Sequence, residues 1–168
     1  MYQLDSQALL AELPRLRRYA RALVGDRAGA DDLVQDTLER AWANAAQWRP
    51  GNALRPWLFG IMHNLRIDQY RRSAPPLYPL DDAAEVATRA TQGDRLDVMA
   101  LDAALARLPE EQRQVLLLVS LEEMSYGDVA TALGIPRGTV MSRLARGRER
   151  LRQLLDEPQP SPRLRVVK

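Results

Sequence analysis

Near the middle of the chain stands Ser73-Ala74-Pro75-Pro76-Leu77-Tyr78-Pro79. Proline fixes φ and removes a backbone donor, so no helix runs through this stretch. On both sides apolar residues recur at helical spacing. The chain therefore divides into two helical parts joined by a non-helical segment. That segment continues with Asp81, Asp82 and Glu85 and few apolar residues, which reads as a linker. The 168 residues accommodate two small domains. Alanine, leucine and arginine dominate and aromatics make up 5%, a balance that favours helices over sheet. The expected fold is all-α: two small helical domains, 1–72 and 96–157, with an extended acidic linker over 73–95. Residues 158–168 hold three prolines and three basic residues and are expected to fray.

The first part reads as three helices. One covers roughly Asp5 to Val24 and stops at Gly25. A second runs from near Ala30 to Trp48, with Val34, Leu38, Ala41, Trp42 and Ala45 as its buried stripe. Pro50-Gly51-Asn52 breaks the chain. A third spans about Arg55 to Arg72, with Pro56 tolerated in its first turn and Leu58, Ile61, Met62 and Leu65 facing the core.

In the second part, Leu101, Leu105 and Leu108 mark a short helix ended by Pro109. Glu110 to Leu121 forms the next, burying Val115, Leu116, Leu118 and Val119. Ser125 opens another as N-cap, with Asp128 three residues on as in a capping box. Gly134 is suited to the left-handed stop. Gly134-Ile135-Pro136 then makes a tight turn into a last helix reaching about Leu155, a helix-turn-helix. Val140, Leu144, Leu151 and Leu155 lie on its buried face.

Another face of that helix carries Arg137, Thr139, Ser142, Arg143, Arg146 and Arg150. From Arg137 to Arg152 there are six arginines and one acid, Glu149. Arginine forks bond guanine edges or clamp phosphate, and a helix fits the major groove. The arginines alone would also suit a solvated basic face. Small Thr139 and Ser142, in the turns where such a helix meets bases, favour a DNA reader.

Two other faces carry chemistry. Opposite the buried stripe of the second helix sit Asp32, Asp36 and Glu39, with Gln35 beside them. Like charges at i, i+4 cost a few tenths of a kcal/mol, and the helix dipole favours acids only near the N-terminus. Asp36 and Glu39 lie beyond that reach, so the stripe suggests a basic partner helix. The third helix interleaves Trp57, Phe59, His63, Asn64, Arg66, Tyr70, Arg71 and Arg72. Aromatic and basic residues together hold unstacked strands, each stacked base contributing ~1–3 kcal/mol. Taken singly, Trp57 and Phe59 read equally as core, and His63 as a surface residue.

Several functions are excluded. With no cysteine, disulfides, thiol catalysis and cysteine–zinc sites are ruled out. One histidine and no constellation of nucleophile, base and orienting group argue against an enzyme, a metal site or a cofactor. No apolar stretch approaches the ~18 residues that span a membrane. The first residues lack the basic and apolar segments of a signal peptide. A soluble cytoplasmic protein is expected.

The segments Leu108-Pro109-Glu110-Glu111-Gln112-Arg113, Met124-Ser125-Tyr126-Gly127-Asp128-Val129-Ala130 and Gly134-Ile135-Pro136-Arg137-Gly138-Thr139-Val140, followed by Ser142-Arg143, resemble region four of sigma-70-family factors. They are most similar to the extracytoplasmic-function group. The resemblance implies binding of an upstream promoter box and of the RNA polymerase flap, with Arg137, Thr139, Ser142, Arg143 and Arg146 on the duplex. Asp31-Asp32-Leu33-Val34-Gln35-Asp36 is similar to the family pattern that docks on the polymerase clamp helices. That implies Asp32, Gln35, Asp36 and the neighbouring Glu39 as core-enzyme contacts.

Trp57 and Asn64 match the family's promoter-melting helix, to which Arg71 also belongs. The loop Trp48 to Leu54 resembles the one that captures a flipped base; Arg49 and Asn52 are the residues expected to contact it. Extruding a base costs a few kcal/mol and so needs a fitted pocket. The implied partners are core RNA polymerase, promoter DNA as duplex and as melted single strand, and an anti-sigma factor. At Met141 and Ala145 relatives often carry larger residues, so upstream-box specificity does not transfer. Met141 suits either a thymine methyl or the helix pair.

Reach constrains the linker. Boxes about one and a half to two helical turns apart lie ~50–70 Å from each other. A flexible coil from Ser73 to Gly93 averages about 25 Å, and full extension gives about 70 Å. Two-box reading thus requires an extended linker. Two alternatives compete: a dimeric helix-turn-helix regulator that binds palindromes without polymerase, and a sigma mimic that titrates an anti-sigma factor.

Overall fold

A computed structural model describes residues 4–73 and 94–158. Among these there are seven α-helices and one short 3-10 turn, and no strand. The linker and tail expectations fall largely outside the described residues.

The first half is α1 (Ser6–Val24), α2 (Arg27–Ala43) and α3 (Leu54–Ser73). Asp5 caps α1 by accepting the Gln7 N–H at 2.9 Å. Gly25 ends it at φ +86°. Asp26 starts α2 by accepting the Gly29 N–H at 2.7 Å, so α2 begins earlier than its apolar pattern suggests. It also ends earlier, at Ala43, with a 3-10 turn over Ala45–Gln47. Leu16, Tyr19, Leu23, Leu33, Leu58, Phe59 and Met62 fill the core between the three helices. The Phe59 ring meets Tyr19 edge-on, with centroids 5.0 Å apart, a geometry that adds ~0.5–1.5 kcal/mol to area burial.

The second half is α4 (Asp94–Ala106), α5 (Glu110–Ser120), α6 (Tyr126–Leu133) and α7 (Arg137–Asp156). Val115, Leu118, Val129, Val140, Leu144 and Leu154 form its centre.

Two expected core residues face water instead, Trp42 and Leu155, which are 58% and 42% exposed; Leu101 is also 39% exposed. In α2 the buried series is Ala30, Leu33, Val34, Thr37 and Ala41. Trp42 lies one helical step off that series. Thr37 occupies the seam because its hydroxyl donates to the Leu33 carbonyl at 2.7 Å, which leaves no polar group unsatisfied. In α7 the stripe runs Val140, Leu144, Gly147, Leu154, a 4-and-3 spacing that reaches 154 rather than 155. Leu101 lies on the outer side of α4, whose neighbours Ala104 and Leu105 turn inward.

The halves pack on each other. α3 lies along α6, and α1 touches α5 and α4. Gly60 of α3 permits this: a Cβ there would stand 3.1 Å from the Ala132 carbonyl oxygen. Arg113 of α5 donates to the Leu23 carbonyl of α1 at 2.9 Å.

Candidate nucleic-acid interface

The helix-turn-helix is built as its sequence suggests. Ser125 accepts the Asp128 N–H at 3.1 Å and starts α6. Gly134 closes it at φ +63°. Pro136 turns the chain, and its carbonyl accepts the Thr139 N–H at 3.0 Å in the first turn of α7.

Arg137, Ser142 and Arg146 are exposed on α7 and Thr139 is half-buried. Ser142 Oγ donates to the Thr139 carbonyl at 3.1 Å, an i−3 bond made on the exposed side of the helix. Arg143 differs: it is turned inward beside Glu111 of α5, 3.6 Å away. It pins α7 to α5 as much as it presents a fork. Met141 is 52% exposed, so it does not shield the helix pair. Further along, Glu149 and Arg152 neutralise each other at 2.7 Å. The hydrogen bond from Arg152 holds the Glu149 carboxyl below its ordinary range. The free positive charge therefore lies toward the N-terminal turns and at Arg148 and Arg150.

On α2, Asp32, Gln35, Asp36 and Glu39 are all exposed. Gln35 Nε2 donates to Glu39 Oε1 at 3.0 Å. Among the described residues no arginine within salt-bridge distance neutralises Asp32, Asp36 or Glu39. The stripe is thus an open acidic surface.

Asn52, Trp57 and Asn64 come together around a cavity of about 740 Å³. Trp48 and Arg40 join them on one wall, and Asp128, Thr131 and Gly134 of the second half close the other. Arg49 and Arg71 are exposed but lie outside this cavity. Gly51, at φ +101°, shapes the turn that presents Asn52. Trp48 Nε1 is buried without a hydrogen-bond partner. Trp48 and Arg40 were not singled out from sequence. The tryptophan flanking the Pro50-Gly51 turn was the available signal, while Arg40 looks like any solvated helix arginine.

His63 is half-buried, not a plain surface residue. Burial pushes its imidazole below the ordinary range; the nearby Gln114 side chain opposes this, Arg143 adds to it and Glu110 opposes it, and its Nδ1 is buried without a hydrogen-bond partner. Phe59 is core.

Two family models match the two halves. The one described as the Sigma2 domain of PhyR covers residues 9–63, and the one for Sigma-70 region 4 covers residues 98–151. The ECF RNA polymerase sigma factor EcfG of Rhodopseudomonas palustris is 39% identical over 149 residues, which are 88% of this chain and 82% of that protein. The chain belongs to the ECF RNA polymerase sigma factors. SigM of Mycobacterium tuberculosis, another member, is 39% identical over 84% of this chain and 71% of its own length. Among solved structures, the sigma factor RpoE of Bartonella quintana in complex with the anti-sigma factor NepR aligns with TM-score 0.75 and 34% identity. It covers 91% of this chain and 97% of that one. CnrH in complex with the cytosolic domain of CnrY aligns with TM-score 0.69 and 27% identity, over 91% and 88%. In this sigma-factor frame, α1–α3 correspond to the Sigma2 match and α4–α7 to region 4.

Proposed function

We propose that the chain binds core RNA polymerase, directs it to a class of promoters and opens the downstream box. Residues 1–72 act as region two and 96–157 as region four, joined by 73–95. Asp32, Gln35, Asp36 and Glu39 dock on a basic helix of the polymerase clamp. Trp57, Asn64, Asn52, Arg49 and Arg71 take the melted strand, and Arg137, Thr139, Ser142, Arg143 and Arg146 read the upstream duplex. The polymerase partner places the protein in the cytoplasm, and among the described residues no helix is long and apolar enough to cross a membrane. The supporting observation is the order of three unlike surfaces on one chain: an unneutralised acidic stripe, a cavity with two tryptophans and three asparagines, and an exposed basic helix.

The test is holoenzyme assembled from core polymerase and this chain, probed with permanganate on promoter DNA. Unpaired thymines should appear at the downstream box and vanish with Trp57→Ala. Thymine reactivity that survives Trp57→Ala and Asn64→Ala together would remove those residues from strand separation.

One observation favours a second reading. The first-half match is to the Sigma2 domain of PhyR, and the PhyRSL–NepR complex of Sphingomonas sp. Fr1 aligns with TM-score 0.67 and 25% identity. A mimic of this kind would bind an anti-sigma factor and leave DNA alone. The exposed Arg137 and Arg146 support the DNA-binding reading, and holoenzyme that fails to shift promoter DNA would favour the mimic.

A further inference from the structure

Met141 stands in the second turn of α7 and is 52% exposed. The other large apolar side chains of that half of the helix, Val140 and Leu144, are buried. One exposed apolar residue is ordinary on a protein surface; the surroundings make this one informative.

Positions 138, 141, 142 and 145 are spaced i, i+3, i+4 and i+7 and so share one face of α7. They are Gly138, Met141, Ser142 and Ala145, all exposed. A Cβ on Gly138 would meet nothing within 4 Å, so nothing crowds the thioether from that side. Glycine and alanine bring no polar side-chain group to this face. The Ser142 hydroxyl has its proton committed to the Thr139 carbonyl at 3.1 Å, which leaves it as an acceptor only. Arginine forks lie on the flanks: Arg137 one turn before Met141, and Arg146 one turn after Ser142. Arg143 is drawn aside toward Glu111 at 3.6 Å.

The middle of the outward face is therefore apolar and poor in donors. In the major groove, the one apolar feature that a base edge offers is the C5-methyl group of thymine. Methionine suits that contact, because its unbranched chain and polarisable sulfur adapt to the surface they meet. The small residues at 138 and 145 let α7 come close to the bases, where a bulky side chain would hold it off. These residues lie in the N-terminal turns, the part of such a helix that meets base edges.

We propose that Met141 is a specificity-determining residue that packs on the C5-methyl group of a thymine in the upstream box, with Ala145 beside it. This deepens the assignment of α7 to the upstream duplex and rests on it. The ligand is thus an A·T pair with its methyl group turned toward Met141, and Arg137 and Arg146 reach the neighbouring pairs or phosphates.

The probe is uracil, which is thymine without that methyl group. Holoenzyme assembled with the full chain is titrated on a promoter recovered from a fragment library by run-off transcription. Each thymine of the upstream box, on either strand, is replaced in turn by uracil. At a thymine facing Met141 the parent should lose about fourfold in affinity, the effect of returning one methyl group to water. Met141→Ala should bind the thymine fragment at least as weakly as the parent binds the uracil one, and should lose nothing further on uracil. Met141→Leu should keep the sensitivity. The cycle of protein and base substitutions isolates the contact from any change in DNA shape. A uracil effect of equal size in Met141→Ala, a box in which no methyl group matters, or a Met141→Ala loss that is the same on every fragment would overturn the inference. Scrambling the upstream box keeps the two readings apart. Parent holoenzyme that ignores the scrambling defeats the duplex assignment of α7 and this inference with it; a response to scrambling but not to uracil defeats the thymine contact alone.

Discussion

Gly134 offers a perturbation whose cost can be worked from geometry alone. It sits at φ +63° between α6 and α7, and a Cβ built on it meets nothing within 4 Å. Gly134→Ala therefore introduces no steric contact and removes no hydrogen bond; the Gly134 N–H still donates to the Ala130 carbonyl. Only the torsional penalty remains, ~1–2 kcal/mol for a residue with a Cβ in the left-handed region. Against it stands ~0.4–1 kcal/mol from the smaller conformational freedom of the unfolded chain. The net loss is thus about 0.5–1.5 kcal/mol. Gly134→Asn should lose less than Gly134→Ala, because asparagine visits this region readily. Gly138→Ala gives the opposite sign. It lies in the first turn of α7 at ordinary helical φ with open space around it, and should stabilise by up to ~1 kcal/mol. The assay is urea unfolding followed by helical circular dichroism. A neutral Gly134→Ala, or an asparagine no better than alanine, would refute the torsional argument.

Asp36→Arg should weaken the association with core polymerase without unfolding α2, because the side chain is exposed; a pull-down of normal strength would exclude that face. Arg146→Ala should cost ~1–3 kcal/mol of upstream-box binding at one base position if it reads a base, whereas an equal loss on every sequence in a gel-shift series would assign it to phosphate. The imidazole of His63 is held below its ordinary range by burial. The unfolded chain therefore takes up the proton first as pH falls. The His63 contribution is full above the ordinary imidazole range and is lost as pH drops through the lowered value. Melting temperatures measured from pH 7.5 down to 5 should fall more steeply for the parent than for His63→Gln, and parallel curves would contradict this.

Much of the local architecture was legible because it depends on neighbours in sequence. Asp5, Gly25, Ser125 and Gly134 act as caps within one turn of where they stand. The recognition helix and the acidic stripe follow from helical spacing in the same way. Periodicity misleads where two residues one step apart compete for a seam: Trp42 against Ala41, and Leu155 against Leu154. There the difference is fixed by where the neighbouring helix passes, which periodicity does not contain.

The seam between the halves was not legible at all. Arg15, Arg18 and Arg66 look like ordinary solvated helix arginines. Glu122 sits in a charged run, Leu121-Glu122-Glu123-Met124, that resembles a surface loop. Their pairing joins residues 104 positions apart, and no local signal selects Glu122 over Glu123 as the buried one. Likewise Asn52, Trp57 and Asn64 were each marked separately, but their convergence on one cavity depends on the turn at Gly51 and on the approach of α6. Arg143 reads as a base-contacting fork from its spacing, yet its contact with Glu111 requires knowing how α5 crosses α7.

The most direct test of the central claim is run-off transcription with purified core polymerase on a library of promoter fragments, with and without this chain. The account predicts transcripts from a discrete subset of fragments only when the chain is present, lost when Asp36→Arg replaces the parent. No chain-dependent transcript, with core polymerase shown to be active on nicked DNA, would contradict it.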